Sequence, residues 1–228
     1  MPGPRNIRLQ VEKLTSDLIE LSLCNHQNYP SMTETGSGYV EIGIGRNCNK
    51  SVSLKNISYR EIYDELVRTN SYNLKMIDGA LIQMFYRFRN TTIEAHSLSF
   101  YSSPYTEEFQ NDPENYINDE LYADIVKKSI IPFPLRFDFD NQESVVCELE
   151  HPMSHLTLGM YENCRIPVSA PLTPYHFISF ILRNFYHTAY NNYYSRIRTH
   201  NEAFEETIRG QENNVVHVRV PSSLPTAP

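Results

Sequence analysis

The sequence lacks tryptophan, a long apolar run and any pair of cysteines at C-x-x-C spacing. No stretch approaches the roughly 20 apolar residues that cross a bilayer, and Met1–Pro4 lead into a polar helical pattern without a signal-like apolar core. We therefore expect no membrane contact and a cytoplasmic location. The four cysteines are scattered, at Cys24, Cys48, Cys147 and Cys164, which indicates neither a zinc knuckle nor a disulfide framework.

An excess of basic residues is also missing. Lysine and arginine total 20 against 27 aspartates and glutamates, which gives a formal net charge of -7. This balance argues against a protein that holds nucleic acid by an overall basic surface, although local basic patches remain open. Aromatic residues are abundant instead, with 16 tyrosines and 11 phenylalanines. They predict a ring-rich core and partly hydrated pockets or interfaces.

The 228 residues suit one globular domain, which we place at residues 1–220, followed by a flexible tail at 221–228. An amphipathic N-terminal helix is predicted by apolar residues at spacings of three and four: Ile7, Val11, Leu14, Leu18 and Leu21. Further helices are predicted at Tyr59–Val67 and Tyr116–Lys128. Thr173 and Pro174 supply an N-cap and a first-turn proline for a long helix that we expect to be buried at the centre of the fold. Its apolar stripe comprises Ile178, Ile181, Leu182, Phe185 and Ala189.

Between these helices the pattern changes to strands. Asp78-Gly79 separates two apolar runs and predicts a hairpin in which both turn residues have positive φ. The next strand alternates cleanly, and a turn at Asn90 leads to another strand that ends near Phe100. The fold class is therefore α+β: antiparallel sheet packed against a long buried C-terminal helix and an amphipathic N-terminal helix.

The most informative segment runs from Leu135 to Asp140. Strand alternation puts Phe137 and Phe139 on one face and Arg136, Asp138 and Asp140 on the other. A second strand is predicted at Val145–Glu150. Matching the apolar sets then pairs Asp140 with Val146, Asp138 with Glu148, and Arg136 with Glu150.

A turn at Pro152-Met153 would bring a third strand beside the second, with Glu150 facing His155 and Glu148 facing Thr157. One polar face would then carry Arg136, Asp138, Asp140, Glu148, Glu150, His155 and Thr157. Carboxylates in this arrangement favour Mg²⁺ or Mn²⁺, so we predict Asp138, Asp140 and Glu148 as metal ligands. Arg136, His155 and Glu150 are the candidate catalytic residues, with Arg136 and His155 serving a phosphate.

A simpler interpretation stays open, because antiparallel sheets often have one solvated face on which acids and arginines form cross-strand ion pairs. The remaining histidines favour structural roles. We expect His151 to be a turn residue and His96, opposite Tyr86, to be a core residue. His176 and His187 on the long helix are expected to be structural as well.

Two short motifs can be compared with known chemistry. His155-Leu156-Thr157 resembles the H-x-T motif of two-histidine phosphoesterases, but no other histidine has Ser or Thr two residues later, and that mechanism needs two copies. Asp138-Phe139-Asp140 followed by Ser154-His155 resembles the D-h-D and s-x-H motifs of archaeo-eukaryotic primase-like polymerases. Met153 stands where that family has a small residue, so this remains an alternative.

A longer series of segments resembles a bacterial family of unknown function: Arg136–Asp140, His151–Leu156, Cys164–Ser169 and Phe177–Tyr186. Members of that family are encoded beside a helicase in phage-defence loci. The resemblance implies a helicase partner and contact with nucleic acid through the complex, and it brings no established catalytic residues.

These observations lead to one main hypothesis and one rival. The main hypothesis is an accessory or effector subunit of a helicase-associated antiviral defence system, acting as a metal-dependent nuclease or nucleotidyltransferase. The rival is a non-catalytic adaptor whose ring-rich surface binds the helicase. They differ in whether the acidic side chains converge around a pocket.

Overall fold

The fold is described from a computed structural model that covers residues 1–36, 38–44, 57–107, 111, 124, 132–142, 144–161 and 163–222. Of the predicted helix at Tyr116–Lys128, only Asp124 falls within these ranges, and it is helical. Cys48 and positions 223–228 of the predicted tail lie outside the described residues.

A single antiparallel sheet dominates the described part of the chain, and it has nine strands. These are β1 (Cys24–Gln27), β2 (Ser31–Thr35), β3 (Tyr39–Gly43), β4 (Leu74–Met76), β5 (Leu81–Arg89), β6 (Thr92–Tyr101), β7 (Pro134–Asp140), β8 (Ser154–Leu158) and β9 (Ile166–Pro167). The strand order is β1-β4-β5-β6-β7-β8-β9. β3 pairs with the C-terminal part of β5, beside β4, and β2 pairs with β3.

Four α-helices accompany the sheet in the described ranges: α1 (Pro4–Glu20), α2 (Tyr59–Arg68), α3 (Pro174–Phe185) and α4 (His187–Tyr193). The amphipathic pattern of α1 is confirmed, since Ile7, Val11, Leu14 and Leu18 are all buried. α2 begins with a capping box, in which Ser58 accepts a hydrogen bond from the Glu61 amide and Glu61 accepts one from the Ser58 amide. No helix among the described residues is both long and apolar enough to cross a membrane.

The two faces of the sheet are covered differently. On one face, α1 and α3 join the inward side chains of the strands in one large apolar core that includes Tyr86, Phe137 and Phe177. On the other face, α2 forms a smaller cluster with Leu81 and Tyr101 at one end of β5 and β6. The polar side chains of β7, together with His155 and Thr157 of β8, therefore lie on the face opposite α3, away from the main core.

The prediction of one long C-terminal helix is wrong, because the chain forms two shorter helices in this region. Thr173 caps its start as expected, accepting a hydrogen bond from the His176 amide, but the helix ends at Phe185. Tyr186 leaves the helical conformation with φ -127° and ψ 54°, and α4 follows. The break coincides with a buried tertiary contact, because the Tyr186 hydroxyl donates to the carboxylate of Asp78, 2.9 Å away.

Burial along α3 follows the prediction in part. Ile178, Ile181 and Leu182 are buried as expected. Phe185, at the end of the helix, is only half-buried and lies against Phe100 with ring centroids 4.7 Å apart. The predicted burial of this apolar stripe is therefore only partial at Phe185.

The predicted hairpin at Asp78-Gly79 is confirmed, since it joins β4 and β5, but the turn differs from the expected form. Only Gly79 has positive φ, at 86°. The Gly79 amide donates to Met76 O and the Met76 amide donates to Ala80 O, which makes the loop longer than two residues. A side chain at position 79 would also approach Ser103 Oγ to 3.1 Å, so the positive φ and this close approach both favour glycine there.

Candidate functional site

The alternation predicted for β7 is confirmed. Leu135, Phe137 and Phe139 are buried in the core. Arg136, Asp138 and Asp140 alternate with them and are half-buried on the opposite face. The side chains singled out by their spacing on this strand therefore do share one face.

The strand predicted at Val145–Glu150 is wrong. β7 pairs directly with β8, so that Asp138 lies opposite His155 and Arg136 lies opposite Thr157. The intervening chain folds into turns closed by two hydrogen bonds between Cys147 and His151, of 2.6 and 3.1 Å. Leu149, at the tip of this loop, has φ 70°. This turn forms instead of a strand because the hydrogen bonds between Cys147 and His151 satisfy backbone groups that would otherwise pair with a neighbouring strand.

This loop separates the predicted metal ligands. Glu148 Oε1 accepts a hydrogen bond of 2.7 Å from the Gln211 amide instead of facing Asp138. Asp140 Oδ1 accepts one of 2.9 Å from the Gln142 amide. Across the described ranges, no three His, Cys, Asp or Glu side chains form a group that could hold a metal ion. The three-carboxylate centre of Asp138, Asp140 and Glu148 is therefore not preformed.

Glu150 is also displaced from its predicted position. It is exposed, and its Oε2 lies 3.8 Å from Cys147 Sγ within the same loop. The predicted pairings of Glu150 with Arg136 and with His155 are thus wrong. Its backbone carbonyl accepts a hydrogen bond of 3.4 Å from Arg165 Nη1.

Three of the predicted side chains do come together, and we call them the Arg136–Asp138–His155 cluster. The Arg136 Nε donates to Asp138 Oδ2, and His155 Nε2 lies 3.9 Å from the same oxygen. The side chains are 26% exposed for Arg136, 20% for Asp138 and 6% for His155. The cluster therefore combines a cation, an anion and a titratable ring in a largely desolvated place, where electrostatic interactions are stronger than in water.

The tautomer of His155 follows from its hydrogen bond. Its Nδ1 lies 2.9 Å from the carbonyl oxygen of Pro152, which can only accept, so Nδ1 carries the proton. Nε2 is then a proton acceptor on the side of Asp138. Burial lowers the pKa of His155 below its ordinary value, while the Asp138 carboxylate opposes this shift. At neutral pH the ring is therefore uncharged and can accept a proton.

His151 is the residue whose position the sequence does not reveal. It lies in a turn, as predicted, but the turn brings its ring beside His155, with centroids 5.1 Å apart. Its Nδ1 lies 2.6 Å from the carbonyl oxygen of Val145 and so also carries the proton. Two imidazoles with proton-accepting Nε2 atoms are thus neighbours. The spacing of four residues between the histidines is the only sign of this in the sequence.

Of the three histidines predicted to be structural, two are buried and hydrogen-bonded within the fold and one is exposed. His96 is buried opposite Tyr86, and its Nε2 accepts a hydrogen bond of 3.0 Å from the Leu172 amide. Burial lowers the pKa of His96 to about 4. His176 is buried with Nδ1 2.8 Å from Thr173 Oγ1, and His187 is exposed beside Asn191.

The fold and cluster define an α+β protein with a partly buried arginine–aspartate–histidine group on the open face of an antiparallel sheet. Residues 23–220 match a family described as uncharacterized conserved protein, DUF2290, and the chain belongs to this family. No curated protein and no solved structure matches the chain. The family match carries no information on helicases or on defence loci.

Proposed function

We propose that the chain is a nucleic-acid-processing subunit of a helicase-associated antiviral defence system, and that the Arg136–Asp138–His155 cluster is its phosphate site. The helicase context comes from the sequence resemblance. The chemistry comes from one observation: His155 is held by Pro152 with its proton-accepting Nε2 beside a carboxylate that an arginine already orients. This is the arrangement that a general base needs, because the carboxylate stabilises the imidazolium once it forms.

In the proposed reaction, the nucleophile is a water molecule or a hydroxyl group that attacks the phosphorus of a phosphodiester. His155 Nε2 takes its proton as the new O–P bond forms, and Asp138 stabilises the resulting charge. The Arg136 guanidinium has further donors that can bind the phosphate oxygens. A proton from solvent passes by way of the neighbouring His151 ring to the leaving oxygen as the old P–O bond breaks, and the proton held by His155 returns to solvent, which completes the proton balance.

We propose that Mg²⁺ or Mn²⁺ binds at this site only when the substrate is bound as well. Asp138 and Asp140 share a face of β7, whereas Glu148 is engaged with Gln211. Magnesium sites commonly use one or two carboxylates and take their remaining oxygens from substrate phosphates and water. Calorimetry with Mn²⁺, in the presence and absence of an oligonucleotide, tests this point for the wild type and for Asp138→Asn. We expect Mn²⁺ to bind only to the wild type and only when the oligonucleotide is present.

The main experiment compares His155→Gln with His217→Gln in the protein alone and in complex with the helicase encoded beside it. Cleavage of single- and double-stranded DNA and RNA is measured at neutral pH. Loss of a general base is expected to slow the reaction roughly a hundredfold to ten-thousandfold. His217, whose Nδ1 lies 3.0 Å from the carbonyl oxygen of Val215, serves as the matched control, and its substitution should have no effect.

Helicase binding and the melting temperature are recorded for both variants to exclude a folding defect. Full activity in folded His155→Gln would overturn the catalytic proposal. Its helicase part is tested separately, since failure of the two proteins to associate would remove only that part.

A non-catalytic adaptor is the second candidate, and exposed apolar side chains favour it. Tyr161, in the loop after β8, is 77% exposed, and Val216 is 92% exposed. Exposed apolar groups of this size are typical of partner surfaces when they are contiguous. If the chain is an adaptor, Tyr161→Ser should weaken helicase binding while His155→Gln has no effect on the function of the complex.

A primase-like polymerase is the third candidate. The two motifs that suggested it lie on neighbouring strands, with Asp138 directly opposite His155. That proximity suits a site in which acids and a histidine meet nucleotide phosphates. Incorporation of nucleotides on a primed template, lost in Asp138→Asn, would favour this activity over strand cleavage.

A further inference from the structure

A concave site lies on the other side of the sheet. It is a cleft of about 590 Å³ between α3, α4 and the C-terminal segment, and Phe137 forms part of its floor. Phe137 points into this cleft, whereas its neighbours Arg136 and Asp138 belong to the opposite face. The cleft is thus separate from the Arg136–Asp138–His155 cluster.

The two arginines among the described residues that line the cleft give its lining a positive charge. Arg183 on α3 and Arg219 on the C-terminal segment line it from two walls, and no aspartate or glutamate is among the described residues that line it. Neither arginine forms an ion pair within the described part of the chain. Burial and a hydrogen bond to Tyr175 raise the pKa of Tyr194 in the wall to about 12, so that phenol adds no negative charge. Two guanidinium groups without an ion-pair partner among the described residues favour a ligand with more than one negative charge.

The rest of the lining suits a flat ring. Phe180 and Tyr190 present aromatic side chains, and the Tyr190 ring packs on Tyr194 with centroids 4.4 Å apart. Asn184 uses its Nδ2 on the Phe180 carbonyl, which leaves its Oδ1 to accept a hydrogen bond from a ligand. Apolar walls with a few polar groups, in a volume between roughly 300 and 1,000 Å³, are typical of small-molecule sites.

We infer that this cleft binds a nucleotide, with its phosphates between Arg183 and Arg219 and its base against Phe180 and Tyr190. A single aromatic carboxylate would leave one arginine unpaired and much of the volume empty. The inference does not depend on the proposed function, because the cleft and the cluster lie on opposite faces of β7.

The test is calorimetric titration of the whole protein with AMP, ATP, GMP, GTP, adenosine and inorganic phosphate. The nucleotides should bind more tightly than adenosine or phosphate, since only they contact both halves of the cleft. Arg183→Gln and Arg219→Gln should each weaken binding about tenfold or more, as expected when a charged hydrogen bond to phosphate is lost. Both side chains are exposed, so the variants are expected to fold.

Arg5→Gln, on the exposed side of α1, is the matched control and should bind as the wild type does. Absence of binding by all four nucleotides would overturn the inference. So would binding that survives both cleft variants, or that is lost in His155→Gln, because the nucleotide would then occupy the cluster. Retention of nucleotide binding in His155→Gln with loss of strand cleavage would support both sites independently.

Discussion

Replacing Asp138 with asparagine removes the charge that joins Arg136 to His155 while almost preserving the side chain's shape. Exposed ion pairs contribute about 0.2 to 1 kcal/mol, and breaking a fully buried pair costs roughly 3 to 5 kcal/mol. Arg136 and Asp138 are 26% and 20% exposed, so the pair lies between these limits. We expect Asp138→Asn to lower the free energy of unfolding by about 1 to 3 kcal/mol, because it leaves the Arg136 guanidinium unpaired.

A double-mutant cycle separates the pair from the individual side chains. The unfolding free energy is measured by urea titration for the wild type, Arg136→Gln, Asp138→Asn and the double variant. The double variant should be destabilised by less than the sum of the single ones, with a coupling of about 1 to 2 kcal/mol. A coupling near zero would refute the ion pair and with it the geometry of the cluster.

The same variant changes the titration of His155. The Asp138 carboxylate raises the pKa of His155 against the larger effect of burial, so its removal should lower that pKa further. Histidine NMR signals recorded as a function of pH measure this directly, with His176 as an internal reference, because burial lowers the pKa of His176 and Asp138 does not act on it. An unchanged or raised pKa for His155 in Asp138→Asn would contradict the assigned contact.

Two further predictions concern the core. Phe137→Ala should cost roughly 3 to 5 kcal/mol, whereas the half-buried Phe185→Ala should cost less, about 1 to 2 kcal/mol, and denaturant titration of both checks this. Burial raises the pKa of Asp78, so its contribution to stability is most favourable below the ordinary carboxyl pKa of about 4 and declines as pH rises through the folded-state value. Tyr186→Phe removes a hydrogen bond that favours the charged form, so it should raise the pKa of Asp78 further and destabilise the protein more at pH 7 than at low pH. Equal destabilisation at both pH values would contradict this.

The sequence predicts the β7 face and the amphipathic helix α1 because both depend on local periodicity. Along β7, every second residue is large and apolar, so only one assignment buries the phenylalanines. The four buried positions of α1 follow from a 3.6-residue repeat in the same way.

Contacts between distant residues explain the errors. Tyr186 continues the helical pattern of α3, yet its hydroxyl binds Asp78, 108 residues away, at the point where the helix ends. The loop of residues 144–151 has a strand-like alternation, but closes on itself through Cys147 and His151 and is held by a contact of Glu148 with Gln211. The periodicity of apolar residues along the chain contains no information about either of these long-range contacts.

The candidate site was predictable to the extent that it rests on β7. Arg136 and Asp138 share a face because of alternation alone, and His155 joins them through the apolar match of Phe137 with Leu156. The proximity of His151 depends on the loop conformation, which no spacing determines. Because the predicted strand at Val145–Glu150 does not form, β7 pairs directly with β8, and His155 lies opposite Asp138.

The most direct test of the proposed phosphate site is histidine NMR of the protein, alone and with the proposed helicase partner, as a single-stranded oligonucleotide is added. A phosphate bound by Arg136 places negative charge beside His155, so the signals of His155 should shift and its pKa should rise. Arg136→Gln should abolish the response. Oligonucleotide binding that leaves the His155 signals unmoved would contradict the account.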